Sequence, residues 1–281
     1  MLEENKNSIL RKIPIQKRLR AFTKSVIYDF EDFMTENKIL YREAQRITIH
    51  FTNSKNCYTN GTRIIIGLNS ELFEGSDNPD IIFSKAKGVI LHEISHIFYT
   101  TFKVFSSFSI KANKKYPGYG PIAKDIFNIL EDYRIENTFS KHYPYAKKNF
   151  LMVRYHIVMN LIEKYKNKEI HDDSDRINFI LNGLLIMGFT DSVFPVKDQK
   201  TAITMQRAYF LIKRATEAAN TEEIAFLSGK VIELLQQFEV TEEANVELTL
   251  TLPLPFKSHK NAKGLISRDG NNLIGNSGRG L

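Results

Sequence analysis

The pentapeptide HEISH at positions 92–96 constrains this chain more than any other feature of its sequence. Side chains four residues apart lie on one face of a helix, so His92 and His96 can reach a single metal ion. Glu93 lies about 100° around the same helix, where it can serve as general base toward a water molecule. Zinc suits imidazole and carboxylate ligands, and a catalytic zinc site keeps one position open. The motif therefore predicts a zinc site.

The sequence around the motif favours a helix. The segment from Pro79 to about Phe102 is predicted to be helical, since proline suits the first helical position and Asp77 or Asn78 can cap the first turn. Apolar residues surround the two histidines within this segment, which predicts that the helix is buried. A buried helix holds its side chains in fixed directions, as a metal site requires.

A third ligand is expected from the next predicted helix, over about residues 122–140, which the loop KKYPGYGP at 114–121 separates from the first. This helix reads NILEDYRIE from position 128, and its candidates are Asp132 and Glu131. Asp132 is slightly favoured, because Glu136 lies one turn later and could accept the second N–H of a histidine ligand. Glu131 is almost as strong a candidate for the third ligand, because its side chain is longer and more usual in this role.

The rest of the chain predicts an α+β fold, with a small N-terminal β-sheet, the HExxH helix and a mainly helical C-terminal half. Two β-branched runs, 46–52 and 62–68, predict a hairpin or a pair of neighbouring strands, with a turn signal at Asn60-Gly61. Further segments are predicted from apolar periodicity: a helix over 14–40, helices over 145–166, 173–189, 199–219 and 221–238, and a strand over 246–252.

The predicted organisation has four parts. Residues 1–43 form a basic helical segment, 44–140 the zincin-like metal-binding core, 141–256 a helical region, and 257–281 a glycine-rich flexible tail. The Phe and Leu spacing in the helical region is typical of a packed core. No nucleotide-binding glycine motif occurs, so nucleotide binding by this chain is not expected.

Charge and composition narrow the class of protein. The net charge is +7, but seven Lys/Arg against two Glu lie in residues 1–26, and five Lys/Arg against one Asp lie in 257–281. The body is thus close to neutral, so nucleic-acid binding is not expected except through the basic ends. The single cysteine, Cys57, excludes an internal disulfide and a thiolate zinc cage. No apolar run resembles a signal or a membrane span, so a cytoplasmic location without membrane contact is expected.

The order of motifs resembles a zincin metallopeptidase whose third ligand is acidic and lies on the next helix. This order of segments is similar to that in the metallopeptidase-like domains of phage and mobile-element proteins. The segments are TRIIIGL, HEISHIF and NILEDYRIE, in chain order. Those domains are often joined to a von Willebrand A-type domain, as in cobaltochelatase-T-like proteins. The resemblance covers about residues 44–140.

The resemblance implies a set of roles. His92 and His96 would be zinc ligands, Glu93 the base, and Glu131 or Asp132 the third ligand. Residues 62–68 would be the edge strand that binds a peptide or protein substrate by strand addition. An AAA+ ATPase or a von Willebrand A-domain protein is an implied partner.

Two other readings stay open. The chain could be a catalytically silent metal-binding adaptor of a phage or mobile element, or it could act on nucleic acid through its basic ends. A cleft filled by the chain itself, for example by the loop at 114–121, would favour the adaptor.

Side chains that could stabilise an oxyanion lie in two places. Tyr116 and Tyr119 lie in the loop, and Tyr155 and His156 lie on the predicted helix over 145–166.

Overall fold

The computed structural model describes residues 48–61, 63–73 and 78–238. Within them the chain is mainly helical with one small sheet, in agreement with the expected α+β class. The strands are β1 (Thr48–Thr52), β2 (Tyr58–Thr59) and β3 (Arg63–Gly67), followed by a 3-10 turn at Glu71–Phe73. The helices are α1 (Pro79–Tyr99), α2 (Phe102–Lys115), α3 (Gly120–His142), α4 (Pro144–Tyr165), α5 (Asp173–Thr190), α6 (Gln199–Glu217) and α7 (Thr221–Leu235).

The sheet has the order β1-β3-β2. The prediction of neighbouring strands is confirmed for β1 and β3, but they are parallel, with Thr48 opposite Arg63, so the hairpin between them is wrong. The hairpin is instead formed by β2 and β3. After β1 the chain forms β2 at the other edge of the sheet and then turns back at Asn60-Gly61, so that β3 lies between them. Gly61 has φ +98°, a left-handed conformation that favours glycine, as the turn signal predicted.

The expectation that β3 is an edge strand is also wrong. It lies between β1 and β2, and β2 pairs with its Ile64 and Ile65. Past that point the backbone of the 53–57 loop covers β3, since a Cβ built at Gly67 would lie 2.5 Å from the carbonyl oxygen of Asn56. A strand hydrogen-bonded on both sides cannot accept a peptide by strand addition.

The helix of the motif begins as its sequence predicts. The Asn78 side chain accepts a hydrogen bond from the Asp80 N–H, and Pro79 occupies the first turn. The helix ends at Tyr99, three residues before its predicted end, where the N–H of extended Thr100 bonds the His96 carbonyl. A further helix, α2, follows at once and was not predicted, because its polar FKVFSSFSIKANKK sequence buries only Phe105 and Ala112.

One hydrophobic core continues from the sheet through all seven helices, from Cys57 to Phe238. The residues 44–140 and 141–256 that the sequence assigns to separate regions share this core where the structure describes them. No helix among the described residues is both long and apolar enough to cross a bilayer. The predicted helix 14–40, the strand 246–252 and the basic ends lie outside the described residues.

Candidate metal centre

Two helices bring the predicted ligands together. His92 and His96 lie on α1 and Asp132 on α3, and one potential ligand atom from each lies within 4.8 Å of the others. Asp132 Oδ1 is 3.1 Å from His96 Nε2 and 3.6 Å from His92 Nε2. Ligand atoms about 2.0–2.1 Å from a tetrahedral zinc ion stand roughly 3.3 Å apart. The Asp132 oxygen therefore lies at close to this spacing from each histidine, and the three ligand atoms lie within 4.8 Å of one another.

The polar atoms of this group are buried without hydrogen-bond partners. His92, His96 and Asp132 are at most 3% exposed. Both Nε2 atoms and both Asp132 oxygens lack a hydrogen bond of acceptable geometry among the described residues, despite their closeness. Buried polar atoms are almost always satisfied, and an ion is one explanation when they are not. The donor set of two imidazoles and one carboxylate suits zinc, so the residues fit the predicted metal.

Hydrogen bonds on the far side of each imidazole fix its orientation. His92 Nδ1 lies 2.7 Å from Glu136 Oε1, and His96 Nδ1 lies 3.0 Å from Thr100 Oγ1. A carboxylate only accepts, so His92 donates from Nδ1 and keeps the lone pair of Nε2 for a metal. The contact with Glu136 is the one that its position one turn after Asp132 predicted. Thr100 was not predicted, because it lies beyond the motif.

Glu131 points elsewhere. Its carboxylate accepts hydrogen bonds from Arg134 Nε at 2.8 Å and Nη2 at 2.7 Å, and from Thr221 Oγ1 at 3.0 Å. Arg134 thus pairs with a neighbouring carboxylate. Adjacent residues of a helix diverge by about 100°, so Asp132 faces α1 while Glu131 faces α7. Between the two candidates for the third ligand, the geometry favours Asp132.

Arg154 is the largest part of the site that sequence reasoning missed. It lies on α4 and is 3% exposed, with its Nη2 3.0 Å from Glu136 Oε1 and 3.5 Å from Asp132 Oδ2. Nothing in the local sequence of α4 marks it, because its partners are 18 and 22 residues earlier on another helix. A buried arginine within an apolar helical pattern is the one signal that was available.

Glu93 lies beside the ligands and is fully buried. The Thr59 backbone N–H is near its carboxyl group, but neither oxygen has a hydrogen bond of good geometry among the described residues. Burial, together with the nearby Asp132, raises the pKa of Glu93 to about 8. His92 and the Thr59 backbone N–H lower this pKa, but they do not outweigh burial. The carboxyl group is therefore in a dry position next to the candidate ligands, where the predicted general base would have to lie.

The pKa values of the two histidines are shifted in opposite directions. Burial lowers the pKa of His92, but Asp132 and Glu136 outweigh it and raise that pKa to about 9. Burial lowers the pKa of His96 despite its contact with Asp132. Burial raises the pKa of Glu136, but Arg154 and His92 outweigh it and hold the pKa at about 2.

Asn128 adds a further unsatisfied group. It lies one turn before Asp132 on α3, is 2% exposed, and neither atom of its amide has a hydrogen-bond partner among the described residues. Residues four apart share a helix face, so Asn128 belongs to the face of α3 that carries Asp132. Most of the buried, unpartnered side-chain atoms of the described residues thus belong to this one region; the exceptions are on Asn178, Asn182 and Ser228.

His92, His96 and Asp132 are called the metal group below. The contacts of the proposed oxyanion residues do not bring them to this group. Tyr116 and Tyr119 donate hydrogen bonds to Glu233 and to carbonyl oxygens near the end of α7. The loop at 114–121 therefore lies against α7 and does not fill the metal group. Tyr155 is 56% exposed, and His156 contacts Lys85 Nζ and the Glu71 carbonyl.

No protein-family model, curated protein or solved structure matches this chain. The zincin resemblance therefore rests on the sequence motifs. The buried His92, His96 and Asp132 group is a separate observation, and it could bind a metal ion whatever the family.

Proposed function

We propose that this chain is a zinc-dependent metallopeptidase, with His92, His96 and Asp132 as zinc ligands and Glu93 as general base. The observation that supports it most is the set of unpartnered, buried ligand atoms within 4.8 Å of one another, on a helix that also carries an unpartnered glutamate. A purely structural group of this kind would leave costly unsatisfied atoms in the core.

The residues divide the chemistry between them. A zinc ion held by the three ligands supplies a Lewis acid that polarises a peptide carbonyl and activates water near neutral pH. Glu93 accepts the proton of the attacking water and then donates it to the leaving amine nitrogen. The Asn128 amide, on the face of α3 that carries Asp132, is a further candidate to hydrogen-bond the substrate or the water. The peptide class of the substrate comes from the resemblance.

A silent adaptor is the second candidate, and one observation favours it. Glu93, His96 and Asp132 have no measurable exposure, so a substrate reaches them only if the surrounding chain moves. A closed site suits a metal that stabilises the fold of a phage or mobile-element protein. An AAA+ ATPase or a von Willebrand A-domain protein would be its partner. The nucleic-acid alternative depends on the basic ends, outside the described residues.

The first experiment is the metal content of protein purified without added metal. We expect about one zinc per chain in the wild type and its loss in His96→Ala. His171→Ala, which removes an exposed histidine between α4 and α5 that is not part of the group, is the matched control and should keep the metal. Absence of stoichiometric metal in the wild type, even after zinc is added, would refute a metal site and with it the peptidase.

Glu93→Gln separates the peptidase from the adaptor. This variant keeps the shape of the side chain and should keep zinc, but it should abolish cleavage in a panel of peptides, because an amide cannot accept the proton. Zinc binding without cleavage of any peptide by the wild type would favour the adaptor.

A further inference from the structure

One guanidinium contacts both acids that serve the metal group. Arg154 Nε is 3.1 Å from Glu136 Oε2, and its Nη2 is 3.0 Å from Glu136 Oε1. The same Nη2 is 3.5 Å from Asp132 Oδ2. Arg154 therefore joins a predicted ligand to the carboxylate that orients His92.

The guanidinium also packs against an aromatic ring. Its central carbon lies 4.8 Å from the ring centroid of Tyr133, a cation–π distance. The Tyr133 hydroxyl donates a hydrogen bond of 2.5 Å to the Leu185 carbonyl on α5. A Cβ built at Gly188 would lie 2.2 Å from the same ring, so Tyr133 fills the space against α5. With an aromatic ring and two acids as neighbours, the guanidinium has little freedom to move.

The two oxygens of Asp132 have different surroundings as a result. Oδ2 lies beside Arg154, whereas Oδ1 lies 3.1 Å from His96 Nε2 and 3.6 Å from His92 Nε2. Glu136 Oε1 accepts hydrogen bonds from both Arg154 Nη2 and His92 Nδ1. We propose that Arg154 is a positioning residue of the metal centre, which presents Asp132 to the metal through Oδ1 alone and holds Glu136 against His92. This inference rests on the proposed zinc site.

The residue type supports a positioning role. The planar fork of arginine can bond both oxygens of one carboxylate and reach a second acid, which the single ammonium of lysine cannot do with the same geometry. A buried ion pair contributes little net stability compared with apolar packing, so the fold alone does not require it. Groups that orient metal ligands are typically worth about 10- to 100-fold in metal affinity.

The test compares two buried arginines. Arg154→Met should weaken zinc binding about 10- to 100-fold, measured by competition with a chromophoric chelator on folded protein. Arg134→Met is the matched control, because Arg134 is also buried on a carboxylate, Glu131, but makes no described contact with the ligands. It should lower stability and leave the zinc affinity unchanged.

A second readout reports on coordination itself. With cobalt in place of zinc, the visible spectrum responds to the number of ligands. In Arg154→Met, Asp132 is free to bind through both oxygens, so the absorption should weaken relative to wild type and to Arg134→Met. A general loss of stability would not produce this difference.

Arg154→Lys distinguishes geometry from charge, and it also provides the comparison if Arg154→Met does not fold. Lysine keeps the charge but loses the fork, so its zinc affinity should remain below that of the wild type. Unchanged or tighter zinc binding in Arg154→Met, or full wild-type affinity and cobalt spectrum in Arg154→Lys, would overturn the positioning role. These outcomes leave the zinc site itself intact, whereas a wild type without metal refutes both proposals.

Discussion

At the scale of single residues, two neighbouring acids of α3 have separate arginines. Asp132 lies beside Arg154 and the histidines, while Glu131 forms a buried pair with Arg134. The sequence offered both acids as the third ligand and favoured Asp132 only slightly, since the choice depends on which face of α3 turns toward α1. That rotation is set by the packing of the whole helix.

This difference gives a prediction for the two acids. Asp132→Asn should reduce the bound zinc well below one per chain, because a neutral amide is a poor ligand in place of a carboxylate. Glu131→Gln should keep about one zinc but lower the free energy of unfolding by about 3 kcal/mol, because it breaks a buried ion pair. Metal analysis and urea unfolding measure the two effects. The reverse pattern, with zinc lost only in Glu131→Gln, would make Glu131 the ligand.

At the scale of elements, the site depends on the close approach of α1 and α4. Gly88 lies one turn before His92, and a Cβ there would meet the Asn149 carbonyl oxygen and Val153 Cγ2, each at 2.6 Å. Val153 immediately precedes Arg154, so this contact brings Arg154 to the metal group. A glycine within an apolar helical pattern was visible in the sequence, but its neighbour on α4 was not.

Replacing this glycine tests the contact. Gly88→Ala should lower the free energy of unfolding by about 1–3 kcal/mol, because the backbone of α4 cannot yield as a flexible side chain can. Gly229→Ala on α7 is the matched control, since a Cβ there meets nothing within 4 Å. It should be neutral or stabilise by up to about 1 kcal/mol through helix propensity. Equal unfolding midpoints for the two variants would show that α1 and α4 do not depend on this close approach.

At the scale of the whole molecule, the metal group lies where α1, α3 and α4 meet within one continuous core. Its ligands come from two helices, and the arginine beside them comes from a third. An ion that binds only the folded arrangement must therefore stabilise the entire described unit.

Zinc should accordingly raise the thermal midpoint of the metal-free protein. At a free zinc concentration 100 times the dissociation constant the stabilisation is about 2.7 kcal/mol, which corresponds to roughly 5–10 °C for a domain of this size. Differential scanning calorimetry with and without zinc measures the shift, and EDTA should reverse it. His96→Ala should show no such shift; an equal shift in that variant would mean that zinc binds elsewhere.

The sequence by itself determined the elements and the chemistry that local patterns encode. The helix of the motif, the turn at Asn60-Gly61 and the paired histidines all follow from spacings of one turn or less along the chain. The position of Glu136 one turn after Asp132 marked it as a partner for a histidine, although the contact itself joins two helices. The tertiary structure decided the rest: the closeness of Asp132 rather than Glu131 to the histidines, the central place of β3, the positions of Arg154 and Thr100, and the burial of Glu93. Each of these depends on contacts between segments that are distant in sequence or on the exact end of a helix, and periodicity carries no information about them.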